Sequence, residues 1–214
     1  MKPPRILKDT TGSMKILSRA VQIFCSVLPL ILLCLAFGEL MFPIAAAVFL
    51  HESAHLATLK ICGGKLKSFS PAPFGLCMEF DENTLSLGGE VLVSISGCAV
   101  NIASALLSVL LYRCFEIDII NFGVVSLLLA LVNLIPSEPL DGGRILRVII
   151  AYFKGPETAY RVTSVITYIF GFFVFLFSSY ALLTSQSGIY PLLFSVYLFG
   201  KNAKSIEKVT FGEK

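Results

Sequence analysis

Charge is what this sequence has least of. Lys, Arg, Asp and Glu together make up 14% of its 214 residues, against roughly 25% in an ordinary soluble domain. Apolar and aromatic residues make up 56%. Intrinsic disorder requires the opposite composition, so it is excluded. A soluble globule is disfavoured too, because its surface could not be covered with polar side chains. The net charge of +3 provides no basic stripe to follow a phosphate backbone, so nucleic acid is not an expected partner. Tryptophan is absent, and the six cysteines include no C-x-x-C pair. They sit mostly in apolar runs, where cysteine behaves as a small buried side chain. Neither a disulfide framework nor a thiolate metal site is indicated.

What is present is a series of apolar runs punctuated by charge. Residues 21–38, 91–112 and 119–137 are uncharged, and 40–59 carry only His51, Glu52 and His55 as ionisable groups. Residues 162–200 are uncharged throughout, which is too long for one crossing of ~20 residues. They suit two helices, 162–183 and 189–203, turning near Ser185–Gly188. The expected fold class is an all-α polytopic membrane protein with six transmembrane helices. Residues 21–38 follow a basic segment but lack a small-x-small cleavage site, so they read as a retained helix and not a signal peptide. Between spans, 63–90 contains Gly63, Gly64, Pro71, Pro73 and Gly75. From Phe74 to Phe80, apolar residues alternate with period two, predicting a short strand in a membrane-associated β-hairpin.

Lysine and arginine set the orientation. With the N-terminus in the cytoplasm, the segments 1–20, 60–90, 137–161 and 201–214 are cytoplasmic. They hold every basic residue except Arg113. Both termini are therefore expected in the cytoplasm, and the lipid bilayer is the first partner.

The only two histidines fall in His51-Glu52-Ser53-Ala54-His55. Residues i and i+4 share a helix face, so both imidazoles can reach one metal ion. Glu52 beside them can act as general base on a metal-activated water. Zinc suits two imidazoles and a carboxylate with a fourth position open. Ionisable groups inside a span are costly, and such groups mark function by default. A third ligand must come from the cytoplasmic side, where Glu90, Glu138 and Asp141 qualify. Asp141 lies in a turn that Pro136 and Pro139 separate from the preceding span, followed by Gly142 and Gly143, which let backbone pass close to a site.

His51-Glu52-x-x-His55 within one span, and Leu140-Asp141-Gly142-Gly143 closing a later one, resemble the site-2 protease family of intramembrane zinc metalloproteases, peptidase family M50. The resemblance covers residues 40–150, the expected catalytic core of a single integral-membrane domain over 1–214. It implies that His51, His55 and Asp141 bind one catalytic zinc and that Glu52 activates water. Gly97-Cys98-Ala99-Val100-Asn101 is similar to a further family stretch, with Cys98 where proline is usual. It implies a role for Asn101 in positioning substrate or oxyanion. The family's N-P-x-D-G motif departs at Glu138, where asparagine is usual. The six-span layout, without PDZ or CBS domains, is closest to the minimal sporulation-type group, in a bacterial cell membrane.

The expected function is hydrolysis of a peptide bond within or next to a transmembrane segment of a membrane-anchored protein substrate, under a regulatory membrane partner. A substrate helix has its carbonyls satisfied internally and must unwind first. The strand near Gly75 and Cys77 could hold the unwound peptide by edge pairing. The alternative is a catalytically inactive relative that binds or regulates membrane proteins. A prenyl-protein type protease, with Glu138 as third ligand, and a transporter are the remaining rivals.

Overall fold

A computed structural model describes residues 38–72, 75–80, 84–185 and 191–200. The expected span 21–38 lies outside the described residues except for Gly38, as do 201–203 of the last span. The described chain is mostly helical. After one 3-10 turn at Gly38–Leu40, helix α1 runs over Met41–Ile61. Gly63, at φ 74°, ends it by donating its N–H to the Lys60 carbonyl. Strands β1 (Leu66–Ala72) and β2 (Gly75–Phe80) pair antiparallel, from Leu66 opposite Phe80 to Ala72 opposite Gly75.

Helix α2 (Leu87–Phe115) starts where the Ser86 hydroxyl accepts the Gly89 N–H at 3.1 Å, which satisfies one of the free donors of the first turn. Helices α3 (Ile120–Asn133), α4 (Asp141–Lys154), α5 (Pro156–Ser185) and α6 (Pro191–Gly200) follow. Gly155, at φ 83°, closes α4. Pro156 then opens α5, where a missing N–H costs no hydrogen bond.

Three helical segments are long and apolar enough to cross a membrane: Gly38–Ile61, Leu87–Phe115 and Pro156–Thr184. The fourth span is shorter than expected. The 14 residues of α3 rise only about 21 Å, against a hydrocarbon core of about 30 Å. The reason is local. Leu134 and Ile135 are apolar but already belong to the turn, in which the Ser137 N–H bonds the Ile135 carbonyl and the Leu140 N–H bonds that of Ser137. The ten residues described in α6 account for about 15 Å of rise. Helix α4, of 14 residues, falls within the segment 137–161 that the sequence places between two spans.

The packing is small inside and large outside. Helix α2 lies against α1, α3 and α4. At these crossings Ala47, Ser94, Ala105, Ser108, Ser126 and Ala130 are buried, while Phe49, Leu106, Leu128, Phe173 and Leu183 face outward. That suits lipid surroundings, where close backbone approach, not burial of bulk, holds helices together. Leu59 and Val93 are buried together, with Leu56 and Leu85 against them. They fix the end of α1 to α2 one turn beyond His55.

Candidate metal centre

The helical repeat puts His51 and His55 on the buried face of α1, 4% and 6% exposed. Their rings meet edge to face, with centroids 4.6 Å apart. Each ring is also held from behind by α2. His55 Nδ1–H donates to the Val93 carbonyl at 2.6 Å, and the Ser96 hydroxyl lies 3.4 Å from the same nitrogen. His51 Nδ1 lies 3.2 Å from the Asn101 side-chain amide. Gly97 allows this approach. A Cβ there would stand 2.6 Å from His55 Nε2 and 2.7 Å from His51 Cε1.

Asp141 arrives from the turn after α3 as the first residue of α4. Two glycines permit that turn to close on itself. A Cβ on Gly142 would overlap the Leu134 carbonyl, and one on Gly143 would lie 2.5–2.6 Å from the Ser137–Glu138 backbone. Asp141 Oδ2 ends 3.1 Å from His51 Nε2 and 3.2 Å from His55 Nε2, and the two nitrogens are 3.0 Å apart. Burial alone would raise the Asp141 pKa. Its close contacts with His51 and His55 outweigh it and hold the carboxyl below the usual carboxylate range. The Cys98 thiol also points at this carboxylate, with Sγ 3.8 Å from Oδ2.

This donor set fits a cation. His55 gives its Nδ1 proton to Val93, so the Nε2 of the neutral ring faces inward as a bare lone pair. That lone pair confronts a carboxylate oxygen and a second ring nitrogen, with too few protons to satisfy all three. A tetrahedral ion with ligand bonds of about 2.0–2.1 Å separates its ligands by about 3.3–3.4 Å, close to the triangle found here. His51, His55 and Asp141 are the residues that would hold it.

The other expected residues fall as follows. Glu52 is half-buried next to His51, within electrostatic reach of His51, His55, Asp141 and Arg144. Asn101 is fully buried against His51. Gly75 and Cys77 lie in β2 opposite Ala72 and Ser70. The two rival third ligands are engaged elsewhere. Arg147 on α4 binds Glu138 at 3.1 Å and Glu90 at 3.4 Å, and stacks over the Tyr160 ring at 5.2 Å. Motif and spacing do not single out Arg147 in the sequence. Its partners lie 9 and 57 residues away, beyond any local spacing rule.

Comparison with known proteins gives concordant results. A model of peptidase family M50 matches residues 117–177. A zinc metalloprotease of Methanocaldococcus jannaschii is 29% identical over 126 residues, covering 54% of this chain and 37% of that protein. The chain thus spans little more than a third of the length of this curated relative. Among solved structures, a site-2 protease from Methanocaldococcus jannaschii superposes with a TM-score of 0.67 at 23% identity, over 85% of this chain and 88% of that one. That match speaks to the fold.

Proposed function

We propose, for a chain that belongs to peptidase family M50, that it is an intramembrane zinc metalloprotease. Its substrate is a membrane-anchored protein, cut within or next to a transmembrane segment. The observation that carries this reading is the meeting of His51 Nε2, His55 Nε2 and Asp141 Oδ2 within 3.2 Å, beside Glu52, on a helix apolar enough to span a bilayer.

Zinc, when bound, supplies a Lewis acid that makes water acidic near neutral pH and polarises a carbonyl. The chain's own residues do the rest. His51 and His55 present fixed nitrogens, and Asp141 brings a negative charge that remains ionised at neutral pH. The Glu52 carboxylate takes the attacking water's proton and passes it to the leaving amine nitrogen. An edge of β1–β2, near Gly75 and Cys77, would receive the unwound peptide as an added strand.

The full layout we propose keeps six spans with both termini in the cytoplasm, α3 being a short one. It places the metal site toward the cytoplasmic face, where Lys60 and Arg144 flank it. The site-2 protease resemblance of both motifs supports zinc as the resident ion.

Co-expression with a tagged single-span substrate tests the assignment. Wild type should cleave. Glu52→Gln should keep its zinc and lose cleavage. Cleavage by the Gln variant would remove Glu52 from the role of general base.

A further inference from the structure

We infer that Asn101 is a positioning residue of the metal centre, which fixes the ring of His51 in the tautomer that binds the ion. The inference rests on the metal-centre reading above.

Asn101 is fully buried, half-way along α2, and its side-chain amide contacts His51 Nδ1 at 3.2 Å. With the amide nitrogen toward the ring, Nδ2–H donates to Nδ1. The ring proton must then sit on Nε2, the nitrogen that faces Asp141 and His55. In the same orientation Asn101 Oδ1 is buried without a partner among the described residues. Buried acceptors are rarely left so. The two ends of an amide have nearly the same shape, so a half-turn exchanges them. Turned over, Oδ1 accepts Nδ1–H and loses its orphan status. His51 Nε2 is then a bare lone pair, matching His55, whose Nδ1 proton is taken by Val93. Metal-binding histidines ordinarily give their second N–H to such an acceptor. Both ligands would therefore be oriented from α2, one by a backbone carbonyl and one by a side-chain carbonyl.

The test is zinc affinity, measured by chelator competition on the full chain in detergent with zinc alone as probe. Asn101→Leu should weaken binding by about 10–100-fold. Asn101→Asp keeps the acceptor and drops the donor, so it should bind within about threefold of wild type, or tighter, and still cleave. Wild-type zinc affinity in Asn101→Leu would overturn the assignment and return the amide to a substrate role. So would Asn101→Asp that holds zinc but no longer cleaves, or that loses zinc while folded. The Asp variant decides the matter even if the Leu variant fails to fold. Failure of the wild type itself to bind zinc would instead overturn the metal centre.

Discussion

Replacing Gly97 by alanine adds one methyl group and should empty the metal centre. The new Cβ would lie 2.6 Å from His55 Nε2 and 2.7 Å from Cε1 of both rings. Ordinary contact begins near 3.5 Å, so both rings must retreat by about 0.8 Å or the helices must part. Metal ligation tolerates displacements of about 0.2 Å. Neither ring has a free direction, because Val93 and Asn101 hold their far nitrogens. The overpacking itself should cost about 1–3 kcal/mol of stability. The lost ligand geometry should weaken zinc by at least about 100-fold, or about 2.8 kcal/mol. Gly88→Ala is the control. It lies on the same helix with nothing within 4 Å of its Cβ, and should bind zinc as wild type does. The assay is zinc content after gel filtration, followed by chelator competition. Wild-type affinity in Gly97→Ala, or equal loss in Gly88→Ala, would refute the packing argument.

Arg147→Met should destabilise the fold by about 2–4 kcal/mol, because it strands Glu90 and Glu138 as unpaired, largely buried carboxylates. Adding Glu90→Gln and Glu138→Gln should restore much of the loss, as read by thermal unfolding; no rescue would mean that Arg147 acts otherwise. For pH, the sign follows from Asp141. Its carboxyl is held below the usual range, so its contribution is complete above that range and fades only as pH falls through the lowered pKa. Asp141 should therefore take up no proton between pH 7 and 5, as read by infrared difference spectra of its carboxyl in the zinc-loaded protein. A carboxyl band that gains a proton in that range would show that Asp141 titrates there. Cys77→Pro in β2 should impair cleavage while zinc stays bound, since it removes a backbone donor from the hairpin; unchanged turnover of the tagged substrate would exclude edge pairing at that strand.

How much of the site is legible in the sequence depends on range. His51, Glu52 and His55 sit within five residues, and the helix repeat alone puts both imidazoles on one face. Asp141 is 90 residues from His51, and residue chemistry reduces the choice only to Glu90, Glu138 and Asp141. Packing separates these three. The turn glycines press Asp141 against α1, while Arg147 draws the other two carboxylates to itself. That division has a physical consequence: by binding Glu138 and Glu90 together, Arg147 ties the Asp141 turn to the start of α2. Hydropathy falls short for a related reason. It measures how apolar a segment is, not where the chain reverses, so it extends α3 through Leu134 and Ile135 although the backbone turns there. The same blindness hides α4, whose charged Arg144 and Arg147 give it the look of a loop although they face the site and its supporting carboxylates. In so apolar a chain, a charged residue that cannot reach water needs a partner inside. Pairing the carboxylates near the spans with the available arginines therefore narrows the partners to a few, Arg147 among them, and packing decides between them.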